Sequence, residues 1–370
     1  MEGVSVITLI SIVYFSLCIL LAFFLLSVKS KNRISNPLFA TFLLLTAIDI
    51  SAYFHNLFLD GFANIVMAKS LFAYLQMPVL YFYVLSVCYS NFKLKRKHLL
   101  HFIPFVIGNL VLVDRFYTKD VAYISNLWQD FNAIWELKFI HFSIHLQFVV
   151  YIVLMFMVLN KYQAIYRQNF SDNASKTYEW LFQFTVVSAV VHSFVILKSI
   201  LKYIDNDVSF PIAQIVVSVI GLSVVVWLVF KALKHPDLFK SVDSETEIIE
   251  KNTPKEANID KEKIENVISL MKTEKPYLNP SLSIRNLASE LKMNSRELSI
   301  LINQHLNQHF FDFVNEYRIE EAKSILKNPA KKEFTVLEIL YEVGFNSKSS
   351  FNTAFKKHTG TTPTQFRKTA

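Results

Sequence analysis

Cys18 and Cys88 are the only cysteines in 370 residues, and both sit inside apolar runs. That excludes a disulfide framework. Glycine is scarce too, at six residues. There is no Gly-rich phosphate loop, nucleophile motif or kinase signature. The chain therefore offers no case for catalysis, and no catalytic residue, metal or cofactor is expected. A cleavable signal peptide is also missing. The start, MEGVSV, has no basic n-region, and the apolar run that follows is too long for an h-region. It reads as a retained anchor.

What is plentiful is apolar. Hydrophobic residues make up 52% of the chain, with 34 phenylalanines, which is high for a soluble protein. Charge is unevenly divided. Residues 1–240 carry 19 Lys/Arg and 12 Asp/Glu, whereas 241–370 carry 19 and 18 in about half the length. Within the second part, 241–265 hold eight acids against four bases, so 266–370 keep 15 bases against 10 acids. The last 28 residues have five Lys/Arg and no acid. A basic surface of this kind suits phosphates.

Seven apolar segments lie at 4–28, 37–58, 65–90, 99–113, 139–160, 180–202 and 210–231. A helix needs about 20 apolar residues to cross the hydrocarbon of a bilayer. The segments 29–36, 91–98, 161–178 and 231–240 hold 13 Lys/Arg, and the alternate side with its flanking helix ends holds six. Basic residues favour the cytoplasmic side. Seven spans follow, in a bacterial cytoplasmic membrane, with the N-terminus outside and the C-terminus inside. Of the outer loop 114–138, Phe116, Tyr117, Tyr123, Trp128, Phe131 and Trp135 form either an interfacial aromatic belt or a lid over a pocket.

Polar residues inside the spans are candidates for sensing. They are Asp49 and His55 in the second, Gln76 in the third, His141 and His145 on one face of the fifth, and His192 in the sixth. An ionisable group at mid-membrane is costly and points to function by default. The alternative is interhelical hydrogen bonding that only holds the bundle together. Lys198 is near enough to a helix end to snorkel. The His141–His145 pair lacks a third ligand at helical spacing, so it is a weak metal motif.

Residues 235–260 are polar, contain Pro236 and Pro254, and read as a flexible connection. Beyond it the apolar period is helical. Asp260 reads as the N-cap of a helix with Ile264, Val267, Ile268 and Met271 on one stripe. Ser283 caps a helix carrying Leu287, Ala288 and Leu291. A turn at 292–294 follows, and Ser295 caps a second helix with Leu298, Leu301 and Ile302 inward. Two short helices about a tight turn are a helix-turn-helix candidate. A long helix over 310–326 has Phe313, Val314, Tyr317, Ala322 and Leu326 spaced for burial. The unit then repeats. Thr335 caps a helix carrying Leu337, Ile339, Leu340 and Val343, and Gly344 supplies the turn. Ser347 starts a helix with Phe351 and Phe355 inward, and Pro363 opens a final turn.

Two such units joined by one long helix resemble the AraC/XylS family of transcription regulators. The matching positions include Leu278, Pro280, Leu282, Leu287, Ala288 and Leu298 in the first unit, and Phe313, Asn315, Arg318, Ala322 and Leu326 in the long helix. Ile339, Val343, Gly344, Phe345, Phe351, Phe355, Lys356, Gly360, Thr362, Pro363 and Arg367 match in the second. The chain departs from the family at Leu340, where a small Ala is usual, and at Asn307, near which Gly is usual.

The resemblance implies two recognition helices in successive major-groove segments on one face of double-stranded DNA. Arg296, Ser299 and Ile300 would read bases in the first unit, beside Glu297 and Asn303. Lys348, Ser349, Asn352 and Thr353 would read them in the second. Asn352 suits adenine and Lys348 guanine or phosphate. Lys356, Lys357 and Arg367 would hold phosphates.

The expected fold is all-α, with three parts. Residues 1–234 form a seven-helix transmembrane bundle, 235–260 a linker, and 261–370 a soluble DNA-binding domain. The expected function is a membrane-tethered, sequence-specific transcription regulator that senses a small-molecule or envelope signal. Its partners are DNA and the bilayer. A homodimer would raise effective affinity for paired sites, although no heptad seam supports one. The alternative is a transporter or channel-like protein with a DNA-binding tail. An intramembrane metal enzyme at His141, His145 and His192 is a third, weaker option.

Overall fold

The computed structural model describes residues 5–28, 34–59, 63–89, 92–119, 123–124, 134–171, 176–204, 208–234 and 261–369. The expected linker 235–260, the Asp260 cap, and Trp128 and Phe131 of the long loop lie outside the described residues. The chain divides into two compact units. One is Met1–Asn160 with Lys176–Ile248, and the other is Lys161–Ser175 with Ile249–Ala370. Among the described residues there is no β-strand, only one antiparallel bridge between Phe170 and Ser283. The fold is all-α.

Among the described residues of the first unit, seven helices are long and apolar enough to cross a membrane. They are α1 (Val6–Ser27), α2 (Ser35–Tyr53), α3 (Ile65–Cys88), α4 (Arg96–Tyr117), α5 (Trp135–Asn169), α6 (Tyr178–Ile204) and α7 (Ser209–Lys234). The fourth is longer than its apolar run. A 3-10 stretch at Arg96–Phe102 and a π-type turn at Val113–Tyr117 extend it at both ends. The fifth runs to 35 residues, or about 52 Å at the helical rise. Its last turns, from residue 161, belong to the second unit.

Side-chain pairs fix the direction of each helix. Phe39–Tyr83 and Gln76–Leu45 make α2 and α3 antiparallel. Phe42–Phe184 and Tyr53–Lys198 make α2 and α6 parallel. His141–Tyr203 and Phe156–Phe182 make α5 and α6 antiparallel. Thr8–Tyr53 and Val28–Asn36 make α1 and α2 antiparallel, Phe72–Phe105 and Tyr81–His101 do so for α3 and α4, and Trp180–Trp227 and Lys202–Phe210 for α6 and α7, so successive apolar helices alternate in direction.

The third helix carries Pro78 inside it. Proline has no N–H, so the carbonyl four residues back loses its helical partner. That carbonyl is on Tyr74, and Gln147 Nε2 donates to it at 3.1 Å. A polar side chain on α5 thereby satisfies the break in α3. The aromatics of the long loop separate as well. Phe116 is buried with Leu71, Tyr74, Leu112 and Ile134, while Tyr123 and Trp135 stay exposed. Phe116 is therefore core packing and belongs to neither a belt nor a lid.

The second unit has seven further helices among the described residues: α8 (Lys261–Thr273), α9 (Ile284–Glu290), α10 (Ser295–Ile300), α11 (Phe310–Lys327), α12 (Val336–Glu342), α13 (Lys348–Thr359) and α14 (Pro363–Thr369). Two cores form along α11. Phe310, Phe313 and Val314 pack with Val267, Met271, Leu287 and Leu298. Ile319, Ala322 and Leu326 pack with Ile339, Leu340, Phe351 and Phe355. The long helix thus gives one end to each helix-turn-helix unit. Leu340, the departure from the family's small residue, is fully buried in the second core.

Local chemistry explains the helix starts. Ser283 and Asn286 cap one another at α9, and Thr335 and Glu338 do so at α12. Such a box satisfies two orphan donors at once. Ser347 accepts from the Ser350 N–H at α13. At α10 the cap is Asn294, which accepts from the Arg296 N–H, and not Ser295. Asn307 has φ 52°. The left-handed backbone explains why the family favours Gly near this position, and Asn tolerates it better than most residues. Leu337 is 52% exposed. It faces outward because its neighbours Ile339 and Leu340 already fill the core.

Candidate nucleic-acid interface and bundle cavity

Lys348, Ser349 and Thr353 are exposed on α13, Asn352 is half-buried beside them, and Lys356 continues the same face one turn on. Phe351, Ala354 and Phe355 are buried opposite. One side of α13 is therefore core and the other is open and basic. The N-terminal turn presents Lys348 and Ser349, the part of a recognition helix that reaches base edges.

The candidate face of the first helix-turn-helix is more occupied. Arg296 is exposed, but Ser299 and Ile300 are half-buried. Asn303 Nδ2 donates to the carbonyl and hydroxyl of Ser299 at 2.8 and 3.1 Å. Asn303 Oδ1 lies 3.1 Å from His309 Nδ1. Glu297 is ion-paired with Lys263 at 2.8 Å. A cytosine amine would have to displace that lysine.

The three phosphate candidates also differ. Lys356 is exposed. Lys357 is ion-paired with Asp312 of α11 at 2.6 Å, so a phosphate would compete with a carboxylate for it. Arg367 is half-buried, with its Nη2 enclosed and without a hydrogen-bond partner among the described residues.

The sequence marks Arg318 only as a match to the family. It is 1% exposed. Nε donates to the Tyr277 carbonyl at 2.7 Å and Nη2 to the Asn279 carbonyl at 2.9 Å. Nη1 reaches the Ser171 carbonyl at 2.9 Å, and Nη2 the Ser171 hydroxyl at 3.0 Å. A buried guanidinium needs such acceptors. It binds segment 170–171 to the start of the first helix-turn-helix unit, where Ser171 N–H also meets the Leu282 carbonyl at 3.3 Å. Beside it, Tyr277 donates to Glu321 at 3.0 Å. Burial, and then that hydrogen bond to a carboxylate, push the Tyr277 phenol well above its ordinary range.

In the first unit a cavity of about 550 Å³ gathers Asp49, Gln76, His141, His145 and His192, five of the six polar residues expected to sense. His145 Nδ1 is 3.1 Å from His192 Nε2, and His141 Nδ1 is 2.6 Å from the Tyr203 hydroxyl. The His192 ring stacks on Phe148 with centroids 3.4 Å apart. Gln76 donates to the Leu45 carbonyl at 3.3 Å. His55 does not line this cavity. The helix α2 ends at Tyr53, so the helical phase that would have turned His55 inward is broken.

The cavity also takes in Lys198 and Lys202. Lys198 faces inward instead of snorkelling, with Nζ 3.5 Å from the Tyr53 hydroxyl. Helical spacing signals that Lys198 and Lys202 share a face, but only the neighbouring helices show that it is the inner one. Among the described residues, no group of three or more His, Cys, Asp or Glu is placed to hold a metal.

The comparisons with known proteins concern the second unit. Residues 287–369 match the family described as a helix-turn-helix domain. An uncharacterized HTH-type transcriptional regulator in the cgkA 5' region of Pseudoalteromonas carrageenovora is 31% identical over 138 residues, covering 36% of this chain and 80% of that protein. The uncharacterized transcriptional regulatory protein YesN of Bacillus subtilis is 36% identical over 92 residues, 24% of either chain, so this chain spans about a quarter of that relative. Among solved structures, the C-terminal domain of AraT, a response regulator from Geobacillus stearothermophilus, is similar at 28% identity. That match covers 29% of this chain and 85% of that one, with a TM-score of 0.26.

Proposed function

Since this chain belongs to the helix-turn-helix transcription regulators of the AraC type, we propose that it regulates transcription from a membrane. Residues 261–370 bind a specific DNA site, 235–260 act as a cytoplasmic leash, and the helices within 1–234 hold the chain in the bilayer and sense a signal. The observation that carries this is one chain holding both seven helices apolar enough to span and a DNA-reading family domain. Thirteen basic residues against six on alternate sides of the seven segments favour an outer N-terminus and a cytoplasmic DNA-binding end. The alternating helix directions agree with that arrangement.

For DNA, Lys348 and Asn352 read bases, assisted by Ser349 and Thr353. Lys356 and Arg367 contact phosphates. Lys357 does so at the expense of its pair with Asp312. In the first unit Arg296 is the chief reader, and Ser299 and Ile300 contribute less. For sensing, the cavity with Asp49 and the three histidines is the receiving site.

Operator selection from random DNA by the full-length chain, with gel shifts of Lys348→Ala/Asn352→Ala, tests the DNA half. The double variant should lose selectivity between operator and random DNA. Unchanged operator binding would defeat it. Carbonate-washed membrane pellets test the tether, and the chain should stay in the pellet at full length.

A further inference from the structure

Residues 161–171, the end of α5 and the two residues beyond it, belong to the second unit. What they touch there is specific. The Tyr166 and Phe170 rings stack with centroids 4.5 Å apart, and Tyr166 is buried. Phe170 pairs with Ser283, the N-cap of α9, in the antiparallel bridge. Ser171, 1% exposed, donates its N–H to the Leu282 carbonyl at 3.3 Å. One turn earlier, the Arg167 guanidinium carbon lies 5.8 Å from the Phe311 ring centre at the start of α11. The end of α5 is thus a strap, seated against the lead into α9 and the start of α11.

Arg318 forms the floor of that seat. Two of its hydrogen bonds go to the strap, to the Ser171 carbonyl and hydroxyl. Two others hold the Tyr277 and Asn279 carbonyls ahead of α9. Its guanidinium carbon also lies 5.5 Å from the Phe345 ring centre, beside the Gly344 turn of the second helix-turn-helix. The Tyr277 carbonyl itself comes so near Gly344 that a Cβ there would be 2.5 Å away. One buried cation therefore joins the strap to both helix-turn-helix units.

An emptied seat would take two acceptors from that cation. A buried guanidinium short of acceptors must rotate or hydrate. Either change reaches the Tyr277 and Asn279 carbonyls, and through Tyr277 the Gly344 turn. The spacing of two recognition helices is what matches a protein to its paired half-sites, so the filling of the seat bears on operator affinity. The seat draws on residues before α9 and on α11, and not on the reading positions Arg296, Ser299 and Ile300. A seated strap therefore supports DNA reading instead of competing with it.

We propose that residues 161–171 are a docking strap whose seating sets the operator affinity of the DNA-binding domain. Seated, the strap holds the two recognition helices at the spacing the operator requires. Withdrawn, it leaves a folded domain that binds DNA with less selectivity. The occupant is this chain's own α5, the helix that also carries His141 and His145. The proposal goes beyond the DNA reading above and rests on it.

The test uses the full chain in nanodiscs. Ser171→Pro removes both the N–H and the hydroxyl that the strap offers. The position lies beyond the last helical residue, and the extended pairing of Phe170 suits a residue before proline. Operator affinity should fall about tenfold or more, with affinity for random DNA unchanged. Phe170→Cys/Ser283→Cys is then added to Ser171→Pro. Bridge partners have Cα atoms about 4.5–5.5 Å apart, within reach of a disulfide, and the natural Cys18 and Cys88 are buried. The oxidised form, with the strap fastened, should bind operator at least about fivefold more tightly than the same protein reduced. The disulfide should close within one chain. A disulfide-linked dimer would mean that a second copy fills the seat, and overturns the proposal. Unchanged operator affinity in Ser171→Pro, or equal binding by the oxidised and reduced forms, also overturns it.

If the proline variant does not fold, the unaltered chain decides. Coupling between two sites is reciprocal, so operator DNA should slow hydrogen exchange of the Ser171 amide about tenfold, and random DNA should not. An amide indifferent to operator overturns the proposal. A parent chain that selects no operator strikes the DNA reading and the proposal together. A parent that selects one, with Ser171→Pro binding it equally, strikes the proposal alone.

Discussion

At the turn of the first helix-turn-helix unit, Lys292 holds φ 53°, and at the turn of the second, Gly344 holds φ 87°. Both backbones are left-handed, yet only one residue is glycine. The surroundings account for the difference. A Cβ on Gly344 would lie 2.5 Å from the Tyr277 carbonyl oxygen and 2.8 Å from that of Leu278, so the second turn needs the space as well as the angle. Lys292 is exposed and bears only the conformational cost, about 1–2 kcal/mol. The reading faces differ in the opposite sense. The first unit's face is tied up in the Glu297–Lys263 pair and the Asn303 hydrogen bonds, whereas Lys348, Ser349 and Thr353 are exposed. The second helix-turn-helix unit is locked where it turns and open on its candidate reading face.

The largest test of this contrast is at Arg318, which braces the first unit. Arg318→Ala would leave the Tyr277 and Ser171 carbonyls without their guanidinium donor, and the Asn279 carbonyl with only the Leu282 N–H. It should cost about 3–5 kcal/mol, read as lost hydrogen-exchange protection across α9 to α11. Next, Gly344→Ala should cost about 2–3 kcal/mol from left-handed strain and the backbone clash. Lys292→Gly should instead stabilise by about 0.5–1 kcal/mol. Both are read by thermal unfolding of the full chain in detergent. If the two glycine exchanges changed stability by the same amount, the packing difference would be wrong.

For DNA, Lys348→Ala/Asn352→Ala should weaken operator binding by about 2–4 kcal/mol. Arg296→Ala should cost about 1 kcal/mol less than that. Equal losses would mean that the first face opens on binding DNA. The smallest effect concerns the box at α12. Thr335→Ala should cost about 1 kcal/mol. Hydrogen bonds from the Thr335 N–H, and then from its hydroxyl, hold the Glu338 carboxyl below its ordinary range. A depressed folded value means that this contribution is present above the unfolded pKa and is lost as pH falls through the folded one. The stability gap between Thr335→Ala and the parent should therefore narrow in acid.

Much of the second unit was legible because its signals are local. Ser283, Thr335 and Ser347 cap the helices they were expected to cap, and α11 ends one residue beyond the range read from spacing. Two adjacent polar residues blurred the start of α10, where Asn294 took the role expected of Ser295. Leu337 met the apolar period and still faces out, because a two-turn helix has room for only part of its apolar set inside. The bundle was legible as helices, but not as a cavity. Asp49 and His192 could be picked out as polar residues in apolar runs, yet their convergence depends on α2, α5 and α6 packing side by side. The same tertiary fact turned Lys198 inward, and the end of α2 at Tyr53 left His55 out. Arg318 carried no sign of burial, since its acceptors are carbonyls 39 to 147 residues away in the chain.

The central claim is that this chain reads DNA while held in a membrane, chiefly through α13. Genome-wide occupancy of the full-length chain, compared with Lys348→Ala/Asn352→Ala and paired with membrane fractionation, tests it most directly. Discrete sites that vanish in the variant, with the full-length chain in the membrane pellet, are the predicted result. Occupancy unchanged in the variant, or DNA-bound chain found only as a soluble fragment, would contradict it.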